Sequence, residues 1–211
     1  MNKKQIFTLL FTTISLVSPT LSLHAQQTVI ATVPQSTLDL TTSQILWKAP
    51  KNHGGSSHFG YVLFTNGNLL TNTNGVPTSA SFVIDMNTIK SIDNRDQKKN
   101  DNVDLELKSK DFFDVARFQT AVMIVKKAVT TKTPSVFTIT GELTMKGVTN
   151  TIHFNATIKN VNNQIKVTAN LVIDRMKWNV KNTEGNFFGG VKNMLIEEKI
   201  PIALELLFTK M

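Results

Sequence analysis

Strict alternation of apolar and polar residues along most of the chain is the feature that most restricts its fold. One run shows the pattern clearly, with Ile165, Val167, Ala169, Leu171 and Ile173 alternating with the polar residues Lys166, Thr168, Asn170 and Asp174. Similar alternation runs through residues 79–87, 134–146, 149–160 and 195–209. Because successive side chains of a β-strand point to opposite faces, each such strand buries one face and exposes the other. The chain is therefore predicted to be all-β and antiparallel.

Short turns between the alternating runs predict about eight strands in one meander. Lys146-Gly147, Asn162-Asn163 and Asn66-Gly67 are expected to be hairpin turns, because Asn and Gly tolerate positive φ. The predicted strands span residues 36–48, 57–65, 79–87, 119–129, 134–146, 149–160, 163–176 and 195–209. Closure into a barrel would remove the edge strands, and a β-sandwich fits the alternation equally well.

One charged stretch, residues 91–118, interrupts the alternation and predicts a short helix between strands. Asp101 or Asn102 is the expected N-cap, with the apolar side formed by Val103, Leu105 and Leu107. We expect residues 101–114, including Phe112-Phe113, to cover one barrel end. Phe113→Ala would then destabilise the fold by about 3–5 kcal/mol if its ring is fully buried.

The first 25 residues have the pattern of a secretory signal peptide. Lys3 and Lys4 precede an apolar core at residues 6–17, and Ala25 supplies the small residue at the expected cut. The core falls short of the roughly 20 residues that a membrane-spanning helix needs. We therefore expect a signal peptide at 1–25, one domain at 26–211, and a periplasmic or secreted location. The chain has no cysteine, so disulfides cannot stabilise it.

The charge pattern argues against nucleic-acid binding. The 23 Lys and Arg outnumber the 15 Asp and Glu, but they are scattered and form no Arg-rich stripe. A mildly basic surface is compatible with transient contact with anionic membrane lipid. The sequence is also compatible with a homodimer.

No group of residues forms a recognisable catalytic or metal site. His53 and His58 are five apart with glycines between them, which matches no zinc spacing, and His153 lies on a polar strand face. Asp174-Arg175 is interpreted as a strand-end ion pair or turn contact. Nucleophile elbows, phosphate loops and dinucleotide fingerprints are missing. The sequence therefore predicts a protein that is not an enzyme, with no metal and no cofactor.

Three segments resemble motifs of the YceI-like family. They are residues 141–149 (GELTMKGVT), 107–115 (LKSKDFFDV) and 84–89 (IDMNTI). Asp174-Arg175 with Trp178 and Asn179 resembles the late strand of that family. Phe118-Gln119-Thr120 departs from the family pattern, and residues 54–57 match it only loosely.

This resemblance implies an extended, lipocalin-like barrel that binds a polyisoprenoid or quinone-like lipid in its interior, without catalytic residues. The inward rows then become the expected apolar lumen: Phe59, Phe82, Ile84, Phe112, Phe113, Phe137, Ile139, Leu143, Phe154, Ala156, Val167, Ala169, Leu171, Phe187 and Leu204. The alternative is a structural or protein-interaction barrel whose core is filled by side chains. The two differ at Ala169, where a phenylalanine would block a lumen but overpack a solid core by about 1–3 kcal/mol.

Overall fold

The computed structural model describes residues 34–51, 56–181 and 196–210. The predicted signal peptide, His53 and Phe187 lie outside these ranges. The described residues form one α-helix, α1 (Gln97–Lys108), one short 3-10 helix (Arg175–Trp178) and nine strands. The strands are β1 (Gln35–Leu38), β2 (Gln44–Ala49), β3 (His58–Thr71), β4 (Pro77–Ser91), β5 (Thr120–Thr130), β6 (Val136–Met145), β7 (Val148–Val161), β8 (Gln164–Asp174) and β9 (Lys199–Lys210).

The strands close into an antiparallel barrel with eight positions. The order is β1-β3-β2-β9-β8-β7-β6-β5-β4, and β4 pairs back onto β3. β1 and β2 share one position, because each pairs with both β3 and β9. The all-β prediction is confirmed, and the barrel rather than the sandwich is the architecture.

The antiparallel order gives the barrel two different ends. The turn end carries the hairpin turns at residues 72–76, 131–135 and 162–163. The helix end carries α1, the β6–β7 turn at residues 146–147 and the 3-10 helix. Two predicted turns are confirmed, with Lys146 at φ 50°, Gly147 at φ 74° and Asn162 at φ 56°. α1 does not span a membrane, being too short and too polar for that.

The Asn66-Gly67 turn was a wrong prediction, because both residues lie inside β3. The register of β3 against β4 shifts between Phe64 and Asn66, so an extra residue there interrupts the alternation without ending the strand. A Cβ on Gly67 would lie 2.6 Å from the Leu38 side chain, so glycine is needed for the close approach of β1. The predicted strand 36–48 is also divided, by a turn in which Ser43 N–H donates to Asp39 O at 3.0 Å.

The helix begins earlier than predicted. Asp96 is the N-cap and accepts a hydrogen bond from Lys98 N–H at 3.1 Å, whereas Asp101 and Asn102 lie within the helix. Val103 and Leu107, four residues apart, are buried, but Leu105 is 70% exposed. The prediction that Leu105 faces the barrel was wrong, because a spacing of two places residues on different sides of a helix.

Candidate functional site

The barrel encloses a cavity of about 220 Å³. The inward rows of β2 to β9 contribute to its wall, so the cavity follows directly from the alternation in the sequence. Most of the predicted lumen residues line it: Phe82, Ile84, Phe112, Phe113, Ile139, Leu143, Phe154, Ala156, Val167, Leu171 and Leu204. Trp47, Met86, Ile152, Ile200 and Ile202 also line it and were not predicted, although the same alternation marks all but Trp47.

The remaining predicted residues lie elsewhere. Phe59 is 44% exposed, so its assignment to the lumen was wrong: Gly60, Val62 and Phe64 take the inward face of β3, and Phe59 lies on the opposite face. Phe137 and Ala169 pack with the core but are not part of the cavity wall. Phe187 lies outside the described residues.

Two polar side chains reach the cavity wall among the described residues, and both are bonded to backbone oxygens. Ser79 Oγ donates to Val125 O at 3.1 Å. Arg175 donates from Nε, Nη1 and Nη2 to Glu197 O at 3.1 Å, Val180 O at 2.5 Å and Ile196 O at 2.9 Å. These bonds direct the polar atoms into the protein, so the space inside the barrel is bounded by apolar groups.

Arg175 holds together the chain segments at the helix end. Its side chain is buried and stands over the Phe112 ring, with the guanidinium carbon 5.9 Å from the ring centre. Burial lowers the pKa of Arg175, against the opposing effect of Glu198 and Asp174. Asp174 pairs with Lys199 Nζ at 2.8 Å and accepts a hydrogen bond from Met176 N–H. The predicted strand-end ion pair of Asp174 therefore exists, but its positive partner is Lys199 and not Arg175.

Lys146 makes a second connection at the helix end. From the β6–β7 turn, its ammonium group donates to Phe112 O at 2.5 Å and to Asn179 O at 3.3 Å. Burial lowers the pKa of Lys146, while Asp114 and Asp111 oppose that change. The lysine therefore joins the loop after α1 to the residue after the 3-10 helix.

Trp178 and Val180 fill the middle of the helix end. They are 1% and 0% exposed, and Trp178 Nε1–H donates to Leu143 O at 2.9 Å. Asn179 between them adopts the left-handed conformation, with φ 55°. Together with Phe112, which is 4% exposed, these side chains close the lumen at this end. Phe113 is only half-buried and meets Phe112 edge to face, with ring centres 5.0 Å apart.

A polar cluster attaches the helix end to β3 and β4. His58 Nδ1 lies 2.9 Å from Asp93 Oδ2, and Ser91 Oγ donates to the other oxygen of Asp93. The buried Asp104 of α1 accepts from Ser91 N–H at 2.6 Å and pairs with Lys90 Nζ at 3.2 Å. Burial lowers the pKa of His58, and the charge of Asp93 opposes it. Within the part of the chain that the structure describes, no three His, Asp or Glu side chains could hold a metal ion.

A closed barrel with an apolar cavity and one end sealed by side chains defines this protein as a lipocalin-like barrel. The pattern of the YceI-like domain matches residues 35–208, so the chain belongs to the YceI-like family. No curated protein matches it.

Solved structures share the fold at low identity. BcnA of Burkholderia cenocepacia is 20% identical with a TM-score of 0.61, over 81% of this chain and 98% of BcnA. A polyisoprenoid-binding domain of Saccharophagus degradans, implicated in plant cell wall breakdown, is 16% identical with a TM-score of 0.61, over 85% of this chain and 100% of that domain. A mutant of the Campylobacter jejuni YceI protein is 16% identical with a TM-score of 0.52, over 99% of both chains.

Proposed function

We propose that this protein binds a long-chain isoprenoid-type lipid, such as a polyprenol or a quinone, and carries or sequesters it without chemical change. The observation that carries the proposal is the apolar cavity of about 220 Å³ inside the barrel. Apolar cavities of roughly 150 Å³ in other proteins stay dry and bind hydrophobic molecules. Burying a tail contributes about 25 cal/mol for each Å² removed from water, so affinity does not require a strong polar contact.

Membership of the YceI-like family favours an isoprenoid over other lipids, as does the likeness to a polyisoprenoid-binding domain. The wall of the cavity favours binding over catalysis. Ser79 and Arg175 both donate their hydrogen bonds to backbone oxygens. They are therefore poorly placed to act as acid, base or nucleophile.

The bound lipid can be identified by extracting the purified full-length protein with chloroform and methanol and analysing the extract by mass spectrometry. The expected result is about one lipid per chain, with masses that differ by isoprene units. A chain that yields no lipid and takes up no added decaprenol would contradict the proposal. That result would favour the alternative barrel with a filled core and a protein partner.

Neighbouring residues of β9 supply a matched pair of variants. Leu204 is half-buried on the cavity wall, whereas Glu205 is exposed on the outer face. Leu204→Trp fills part of the lumen and should strongly reduce the lipid content, while Glu205→Trp adds the same bulk outside and should retain it. Equal lipid content in two folded variants would show that the ligand does not occupy the lumen.

We also propose that residues 1–25 are removed as a signal peptide and that the protein acts in the periplasm or after secretion. The positive start and short apolar core support this location. N-terminal sequencing of protein from the exported fraction should begin near Gln26. Membrane-bound protein that retains Met1 would contradict export by cleavage.

A further inference from the structure

The hydrogen-bonded ladder between β7 and β8 stops halfway along the barrel. The two strands pair from Val161 with Gln164 to Ala156 with Ala169. The same register would go on to pair Phe154 with Leu171, but beyond the alanines the strands separate. Residues 148–155 pair only with β6, and residues 170–174 pair only with β9. We call the gap between these two described segments the β7–β8 opening.

The opening leads into the cavity. Ile152, Phe154 and Leu171 border it, line the cavity and are only half-buried. On β4, by contrast, the inward residues Phe82 and Ile84 are 8% and 7% exposed. Leu204 on the fully paired β9 is half-buried as well, so partial exposure alone does not mark the opening. The interrupted ladder marks it, because there the half-buried side chains of the cavity wall border strand edges that are not paired with each other.

Both limits of the opening are defined by specific residues. Towards the turn end it stops at the Ala156–Ala169 pair, where neither side chain extends beyond Cβ. Towards the helix end it stops where Asn150 Nδ2 donates to Lys177 O at 2.9 Å, which bridges β7 to the 3-10 helix. The unpaired strand edges carry backbone donors and acceptors that need polar partners, whereas the side chains just inside are apolar.

The two barrel ends offer a poorer route. Trp178 and Val180 fill the helix end with almost no exposure. Nearer the turn end, Phe208 is 1% exposed and its ring meets that of Phe82 with centres 6.1 Å apart. A lipid tail passing through an end would have to displace these packed groups, whereas at the β7–β8 opening no ladder has to be broken.

We propose that the β7–β8 opening is where the apolar tail of the lipid enters and leaves the lumen, while the polar head group stays at the strand edges outside. This inference rests on the proposed function. The ligand class that fits is a single-headed amphiphile with one long tail, since the rim is polar and the interior apolar.

The absence of cysteine from the chain allows the opening to be closed chemically. His153→Cys with Val172→Cys places two thiols on the outward faces of the separated segments, and a short bismaleimide would bridge them. Thr157→Cys with Thr168→Cys is the matched control, because these residues already pair across the closed part of the same ladder. The probe is dansyl-labelled farnesol, and fluorescence reports both its rate of uptake and its affinity.

Bridging across the opening should slow uptake by about tenfold or more, equivalent to a barrier raised by about 1.4 kcal/mol, and bridging the control pair should not. Equal rates before and after bridging, with affinity intact, would overturn the opening as the route and leave the proposed function standing. Failure of the unbridged variants and the wild type to bind the probe at equilibrium would instead overturn the proposed function.

A second measurement covers the case in which the two thiols are too far apart to be bridged. Leu171→Cys should react with a charged methanethiosulfonate faster than Met123→Cys, because Leu171 borders the opening and Met123 is 7% exposed on the fully paired β5 wall. Bound dansyl-farnesol should slow the reaction at position 171. Equal reactivity of the two thiols, or no protection by the bound probe, would overturn the proposal.

Discussion

Removal of one aromatic ring tests how the helix end of the barrel is closed. Phe112 and Phe113 are adjacent in sequence but differ in burial, with Phe112 only 4% exposed and Phe113 half-buried. Phe112 also lies under the guanidinium of Arg175 and borders the cavity. We therefore expect Phe112→Ala to destabilise the protein clearly more than Phe113→Ala.

The size of the difference follows from burial. Loss of a fully buried phenylalanine costs about 3–5 kcal/mol, which includes the void left behind. Phe112 already borders a cavity on one side, so we place its cost near the lower limit, at about 3 kcal/mol. A half-buried ring loses about half of that transfer energy, so Phe113→Ala should cost roughly 1.5 kcal/mol. Either variant loses the edge-to-face pair, which therefore does not contribute to the difference.

Equilibrium unfolding in urea measures this difference directly. The proteins must first be freed of bound lipid, because a ligand that binds only the native state adds to the apparent stability. Unchanged slopes of unfolding free energy against urea would show that the variants expose the same surface. Equal midpoints for the two variants, or a Phe112→Ala midpoint close to wild type, would refute the assignment of Phe112 as the ring that closes the helix end.

Three further predictions concern stability. Arg175→Met leaves three backbone carbonyls without their donor and should cost at least about 2 kcal/mol, whereas the exposed Lys177→Met should change stability by less than about 0.5 kcal/mol. Burial lowers the pKa of His58 below its ordinary 6.5, so stability should fall as pH drops below that value, and fall less in His58→Gln. Gly147→Ala should destabilise the protein more than Gly75→Ala, although both glycines have a φ of 74°, because the new Cβ at position 147 meets the Phe118 ring and the one at position 75 meets nothing. Thermal unfolding measures the stability in all three comparisons. Equal stabilities within a pair would contradict the corresponding prediction.

Much of the fold could be predicted because alternation records directly which side chains face the barrel interior. On β8, every residue of the row from Ile165 to Ile173 faces inward as predicted. The pattern failed where the backbone leaves regular geometry. The bulge after Phe64 shifts the inward row of β3 by one residue, which imitated a turn. Phe59 lies before this bulge, and the regular alternation of Gly60, Val62 and Phe64 places it on the outer face, opposite to its assignment.

Other features depend on contacts between distant residues, which local patterns do not report. The glycine at position 67 makes room for Leu38, almost thirty residues earlier in the chain, yet in sequence it is indistinguishable from a turn glycine. The end of the β7–β8 ladder at Ala156 leaves no mark either, since both strands continue to alternate beyond it. Strand pairing depends on the curvature of the whole barrel, so a gap in one wall is visible only in the assembled structure.

The placement of polar groups at the helix end explains how an apolar lumen coexists with charged residues at its border. Arg175 and Lys146 both reach this end, and a charge facing the cavity would be costly without water. Each cation instead donates to backbone oxygens of loops at the sealed barrel end. The same bonds therefore satisfy the carbonyls, fix the loops that position Phe112 and Trp178, and keep the cations out of the lumen. An uncharged replacement for either residue should loosen this end rather than make the cavity more apolar.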